Sequence, residues 1–213
     1  MKLDDLQALA TGLIFQLRPG CTRIEIAGSV RRSKPDPKDL ELVCIPALGE
    51  FTERDLFGEV TRTIAVNYLD TALEGIYSGG AWQLDPVVKR NGELYKRLRH
   101  VATGIACDLF ITDARRWGYT LTIRTGPYDF SRELMTLAHR QGKFFKDCLL
   151  HNHPPVFESG GAGLPMKVLP CGLGQRCTQI IETPEETDIF RALTLTYLVP
   201  SARGHAVRGN RHL

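Results

Sequence analysis

The stretch from Gly28 to Pro46 constrains this chain more than any other. It opens with Gly28-Ser29-Val30-Arg31-Arg32, passes through Pro35 and Pro37, and enters the run Asp39-Leu40-Glu41-Leu42-Val43-Cys44-Ile45-Pro46. The two prolines force an extended approach, and the run after them reads as a strand that becomes wholly apolar, as an interior strand of a sheet does. On a strand, side chains two apart share a face, so Asp39 and Glu41 point together while Leu40 and Leu42 point the other way. Two converging carboxylates repel unless a cation lies between them. A divalent metal with oxygen ligands is the natural cation, and magnesium is the one suited to a phosphate substrate. Upstream, the Gly-Ser turn offers backbone N–H groups and Arg31 and Arg32 offer bidentate phosphate donors. Phosphate on one side and metal on the other is a layout for transferring nucleotides.

The rest of the chain reads as alternating helices and strands. Leu3 to Leu17 has helical apolar spacing and stops at Pro19-Gly20, and Arg23 to Ala27 alternates as a half-buried strand leading into the Gly-Ser turn. Phe51 to Leu73 is read as a helix with Leu56, Val60, Ile64 and Tyr68 as its core stripe, and Gly79-Gly80 as a hairpin turn. Val87 to Arg90, Asn91-Gly92 and Leu94 to Val101 read as a hairpin, with Tyr95, Arg97 and Arg99 on one face of its second strand. Ile105 to Ile111 is a further strand, apolar throughout except for Asp108. A lone carboxylate in such a strand is costly unless a cation or hydrogen bonds offset it, so Asp108 reads as a third metal ligand, or else as a cap on a neighbouring turn.

Beyond Asp113 the character changes. Leu121 to Arg124 is read as a strand, Thr125-Gly126-Pro127 as a turn, and Tyr128 to Gly142 as a helix with Phe130, Leu134, Leu137 and Ala138 inside. Lys143 to Gln175 is rich in Gly, Pro and His and is expected to hold irregular structure and a small hairpin. Thr183-Pro184-Glu185-Glu186 predicts a helix start with Thr183 as N-cap and Glu186 in the capping-box position. Cys148, His151, His153, Cys171 and Cys177 are zinc-capable, in spacings that fit no standard finger. They read either as a structural zinc site or as loop histidines with buried cysteines.

At 213 residues with 43% hydrophobic and 24% charged residues, the composition is that of a globular chain with one large or two small domains. No apolar run approaches a membrane span, and the acidic Asp4-Asp5 pair does not suit a signal peptide, so a cytoplasmic protein with reduced cysteines is expected. Net charge is +3, but Lys89 to His100 holds five Lys/Arg against Glu93 alone, and the tail carries Arg203, Arg208 and Arg211 without an acid. Such stripes suit a phosphate backbone and equally a solvated surface.

These motifs, in this order, resemble those of family X DNA polymerases over nearly the whole length. Gly28 to Arg32 is similar to the family's Gly-Ser-aromatic-Arg-Arg turn. Lys38-Asp39-Leu40-Glu41 stands at its Gly-Asp-x-Asp position, and Cys107-Asp108-Leu109 at its third-aspartate strand. Thr125-Gly126-Pro127 through Arg132 resembles its Thr-Gly turn and nucleotide-contacting helix, and Asp188-Ile189-Phe190 with Tyr197 and Pro200 its terminal element. The N-terminal lyase module of larger members has no counterpart here, so the chain is similar to the small viral members with palm and thumb only.

The resemblance implies an α+β fold with a nucleotidyltransferase palm over residues 1–114 and a thumb-like nucleotide- and DNA-contacting domain over 115–213. It implies a monomeric DNA-directed DNA polymerase using two Mg²⁺ ions, or Mn²⁺ in their place, to add dNTPs at a primer 3′-hydroxyl of gapped or primed duplex. Short-gap filling in DNA repair is the implied role, and an RNA or other non-DNA acceptor is the alternative. Asp39, Glu41 and Asp108 would be catalytic metal ligands. Gly28, Ser29, Arg32, Thr125, Gly126 and Ser131 would contact the nucleotide, and Arg97, Arg99 and Arg132 the DNA. Glu41 stands where the family has Asp, Ala106 where many members have a primer-contacting Arg, and Ile123-Arg124 where aromatics are common. A non-catalytic binding module is disfavoured, because three buried acids without a metal would only destabilise the fold.

Overall fold

A computed structural model of the chain describes residues 1–86, 91–158, 167–169, 171 and 177–204. The fold is mixed α+β and divides into two compact units, Met1–Asp113 and Ala114–Leu213. None of the described helices is long and apolar enough to cross a membrane.

In the first unit, α1 (Leu3–Leu17) is followed by a 3-10 turn at Arg18–Gly20, β1 (Cys21–Ile26), the single-turn α2 (Gly28–Arg31) and β2 (Leu40–Pro46). Then come β3 (Leu48–Arg54), β4 (Val60–Asn67), α3 (Tyr68–Ser78), β5 (Trp82–Leu84), β6 (Tyr95–His100) and β7 (Ala106–Ile111). Five strands form a mixed sheet in the order β1-β2-β7-β6-β5, with only β2 and β7 parallel. Leu40 and Leu42 on β2, Leu98 on β6 and Cys107 and Leu109 on β7 are fully buried. They pack with Leu6, Leu13 and Leu17 of α1 and Leu69, Leu73 and Ile76 of α3 in one core. The two helices thus cover one sheet face, and the alternate residues of each strand are left for the other.

Two local expectations fail here. Phe51 to Leu73 is not one helix. Its first two thirds form the β3–β4 hairpin, in register from Leu48↔Asn67 to Arg54↔Val60, and only the last part enters α3. The expected core stripe is outside: Leu56 is 99% exposed and Val60 52%. Apolar residues four apart mimicked a helix, but Val60-Thr61-Arg62-Thr63-Ile64 is rich in β-branched residues, and Asp55 nucleates a turn by accepting hydrogen bonds from the N–H groups of Phe57 and Glu59, both at 2.9 Å. Gly79-Gly80 ends α3 rather than turning a hairpin, with Gly80 in the left-handed region (φ +73°) that closes many helices. The second strand expected of the Asn-Gly hairpin is present as β6, which pairs with β5 from Trp82↔His100 to Leu84↔Leu98; the hairpin's expected first strand, 87–90, lies outside the described residues. Asn91 has another use: its side-chain oxygen accepts from the Arg97 N–H at 2.8 Å.

The second unit contains α4 (Trp117–Thr125), α5 (Tyr128–Arg140), β8 (Phe144–Lys146), β9 (Leu149–His151), β10 (Val156–Glu158), β11 (Lys167–Leu169), β12 (Ile180–Ile181) and α6 (Glu186–Ala192), and ends in a 3-10 turn at Pro200–Gly204. Strands β12-β9-β8 form an antiparallel sheet and β10-β11 a separate pair. The core joins Phe130, Leu134 and Ala138 of α5 to Leu150 of β9 and to Ile189, Phe190, Leu193 and Leu195.

Leu121 to Arg124 lies in the middle of α4, not in a strand. Trp117, Leu121 and Thr125 are buried at four-residue spacing, so burial overrides the β propensity of Thr and Ile. The α6 cap is shifted as well. Glu185 is the N-cap, in a capping box with Asp188, whose carboxylate accepts from the Glu185 N–H at 2.8 Å. Thr183 is engaged elsewhere: its hydroxyl accepts from Tyr119 N–H at 3.3 Å and its carbonyl from Gly118 N–H at 2.6 Å, which seats the start of α4. Arg203, expected in a solvated basic tail, is fully buried; Arg208 and Arg211 lie outside the described residues.

Candidate active site

The sheet face opposite α1 and α3 carries the candidate site, and strand register fixes what stands on it. Residues paired across neighbouring strands share a face. Glu41 of β2 pairs with Asp108 of β7, and Asp108 pairs with Arg97 of β6. Beyond Arg97, the Asp85 N–H donates to the Arg97 carbonyl at 2.9 Å. One row therefore reads Glu41, Asp108, Arg97, Asp85 across the sheet. The next row holds Ala106 and Arg99, paired in register, with Asp39 two residues before Glu41. All three predicted carboxylates stand on one face, half-buried, together with two of the predicted arginines.

Directly behind this row, Cys107 is fully buried on the core side. Burial raises its thiol pKa first, and the charges of Asp108, Glu41 and Asp39 raise it further. Asp108 accepts from the Tyr95 hydroxyl at 2.6 Å and from Arg97 at 3.2 Å, both at Oδ1. Burial, and then that bond to Asp108, raise the Tyr95 pKa and keep it a donor. Tyr95 is braced by the Phe110 ring, 5.4 Å away between centroids. Asp85, only 1% exposed, binds Arg97 at 3.2 Å and Arg99 at 2.8 Å, and Arg99 also donates to the Gly104 carbonyl at 2.9 Å. Arg97 and Arg99 are thus anchored at one end by a buried acid, while Arg97 turns its other end to Asp108.

The turn after β1 approaches from the side. Ala27 N–H donates to the Glu41 carbonyl at 2.7 Å, continuing the β1–β2 ladder to the edge of α2. Gly28 has φ +64°, and a β-carbon there would collide with the Glu41 carboxylate. The glycine is therefore required both for backbone shape and for room beside the acid. Ser29 follows, its hydroxyl oxygen buried without a hydrogen-bond partner, and Arg32, half-buried, closes the turn with its N–H on the Gly28 carbonyl at 3.3 Å.

The other predicted nucleotide-contacting residues belong to the second unit. Thr125 is fully buried at the end of α4, and Gly126 continues in extended conformation with the Phe130 ring packed where a β-carbon would be. Every peptide bond among the described residues is trans, that between Gly126 and Pro127 included. The Ser131 hydroxyl donates to the Ile123 carbonyl at 3.1 Å, tying α5 to α4. Arg132 is 62% exposed, paired with Asp129 at 3.1 Å and lying over the exposed Tyr128 ring at 5.6 Å.

Chemically, the first unit presents an oxygen-only donor set for a hard cation, a glycine turn with an unpartnered hydroxyl against it, and anchored guanidinium groups beside it. Among the described residues, the His/Cys/Asp/Glu group whose ligand atoms draw within 4.8 Å of one another is a His/Cys cluster of the second unit, not the three carboxylates. Sequence reasoning missed Asp85. Its partners are 12 and 14 residues away, and nothing local marks it except an acid beside apolar Leu84. No protein-family model matches this chain, and no curated protein matches it.

Proposed function

We propose that the chain is a metal-dependent nucleotidyl transferase of the family X polymerase type, a palm-like unit followed by a thumb-like one, that extends a primer 3′-hydroxyl with dNTPs on gapped or primed DNA. The observation that carries this reading is the register Glu41↔Asp108 on adjacent parallel strands, with Asp39 on the same face and the Gly28 turn packed against Glu41. That arrangement combines the three motifs of the sequence resemblance in one place.

The donor set fits magnesium, being carboxylate oxygen only and backed by a buried core. When bound by Asp39, Glu41 and Asp108, the ions would lower the pKa of the attacking hydroxyl and offset the charge of the phosphates. The chain's own residues do the positioning. Tyr95 and Arg97 fix the Asp108 carboxylate, and Asp85 fixes Arg97. The Gly28 turn, Ser29 and Arg32 take the β- and γ-phosphates. The primer oxygen bonds to the α-phosphorus as the bond to the bridging oxygen breaks, and pyrophosphate leaves. Arg99, in register with Ala106, supplies a guanidinium beside the position where relatives of this type carry a primer-contacting arginine. In the second unit, Thr125 and Gly126 set the entry of α5, and Ser131 and Arg132 on that helix contact nucleotide and DNA.

Primer extension with Mg²⁺ or Mn²⁺ on gapped, recessed and single-stranded substrates, each with dNTPs and with rNTPs, tests the proposal. Incorporation of dNTPs on gapped duplex is expected. Extension confined to single strands would refute gap filling, and a preference for rNTPs or an RNA primer would favour the non-DNA acceptor.

A further inference from the structure

A second, chemically different cluster lies in the second unit. His151, His153, Cys171 and Cys177 each bring one ligand atom into a group in which all four lie within 4.8 Å of one another. Three come from within the Gly/Pro-rich stretch Lys143 to Gln175 and Cys177 lies just beyond it, and folding gathers what the irregular spacing conceals. We propose that these four residues form a closed structural zinc site, a function separate from the carboxylate site and independent of the polymerase reading.

Strand geometry places the histidines. His151 ends β9, paired with Phe144 on one side and Ile180 on the other, and His153 follows two residues on. The His151 ring is 1% exposed, yet its Nδ1 is buried with no hydrogen-bond partner. A buried, unpartnered imidazole nitrogen is costly, and coordination to a metal ion would satisfy it. His153 turns its Nδ1 to the Pro154 carbonyl at 3.0 Å, which sets the tautomer with the proton on Nδ1 and leaves the Nε2 lone pair for the cluster. That Nε2 stands 3.5 Å from the Cys177 sulfur. A tetrahedral zinc with ordinary Zn–N and Zn–S bonds needs a nitrogen-to-sulfur separation of about 3.5 Å.

The surroundings are those of a metal held for structure. The Phe144 ring stacks on His151 at 4.6 Å and meets His153 edge-on at 5.0 Å, forming an apolar wall on one side. Cys177 is 8% exposed, and His153 and Cys171 are half-buried. Two thiolates with two imidazoles match zinc rather than magnesium or calcium, and four protein ligands leave no open position for catalysis. Cys148, zinc-capable in the sequence, is exposed and stands outside the cluster. The metal would clamp residues 24 apart, His153 and Cys177, just before the chain enters β12 and seats α4 through Thr183.

The test uses the full chain, purified from zinc-supplemented medium and desalted. Elemental analysis should give about one zinc per chain, and Co²⁺ exchanged into the protein should show the intense bands of a tetrahedral thiolate site. Cys148→Ser should keep the metal, and Cys177→Ser should lose it. Should Cys177→Ser fail to fold, wild-type alkylation decides. Cys148 should react at once, while Cys171 and Cys177 should react only after a strong chelator is added. Substoichiometric zinc, alkylation of Cys171 and Cys177 indifferent to chelator, or a Cys171–Cys177 disulfide in the native protein would each overturn the assignment.

Discussion

Gly28 answers to two demands at once, a left-handed backbone and space for the Glu41 carboxylate. Gly28→Ala should therefore lower stability by about 1–3 kcal/mol, read by urea unfolding, and should lower nucleotide incorporation further than that loss explains, because the new methyl displaces Glu41. Gly58→Ala, at a similar φ (+83°) on the hairpin with open space around it, isolates the backbone share and should leave incorporation unchanged. Asp85 makes a different prediction. Asp85→Asn keeps the shape but removes the charge that anchors Arg97 and Arg99, so incorporation should fall about tenfold while Asp108 itself is intact. At this scale the sequence was informative where chemistry is periodic. From Asp39 and Glu41 two apart, and Asp108 alone in an apolar strand, the placing of three acids on one sheet face could be read in the sequence. Asp85 and Tyr95 did not, because their roles depend on partners in other strands.

Among the elements, the buried pair Glu186–Arg203 is the most exacting. Arg203 donates to Glu186 at 2.8 Å and to the Leu198 carbonyl at 3.0 Å, with the rings of Phe130, Phe190 and Tyr197 each 5.5 to 5.6 Å from its guanidinium carbon. Glu186 also accepts from the Tyr197 hydroxyl at 3.2 Å and Thr122 at 3.4 Å. The pair joins α4, α6 and the final 3-10 turn. Arg203→Met should destabilise by about 3–5 kcal/mol, measured by thermal or urea unfolding, because it strands a buried carboxylate. Pairing it with Glu186→Leu should recover much of that loss. In the sequence, Arg203 read as one more cation of a basic tail; only burial distinguishes a latch from a solvated charge. The same holds for α4, where Thr and Ile suggested a strand and the pattern of buried Trp117, Leu121 and Thr125 made a helix. Strand β1 was legible by its alternation, and β2 and β7 by apolar runs interrupted only by Glu41 and Asp108, because those strands meet the core. The β3–β4 hairpin was not, since it is exposed on nearly every residue and carries no such pattern.

At the scale of the whole molecule, each unit owns a core. The sheet of the first unit is packed by α1 and α3, and the second unit is packed around Phe130 and Phe190. A chain cut after Asp113 should therefore fold by itself, seen as a single cooperative urea transition with native-like circular dichroism; a featureless, gradual transition would show that the cores are interdependent. Asp39, Glu41 and Asp108 are proposed to act as one metal-binding, nucleotide-transferring face. The direct measurement is single-nucleotide incorporation on gapped duplex with Mg²⁺, comparing wild type with Asp39→Asn and Asp108→Asn. Each variant should retain its fold by circular dichroism and lose incorporation by about 10²-fold or more, since each removes charge that holds the metal. Equal incorporation by wild type and either folded variant would contradict the assignment of this face.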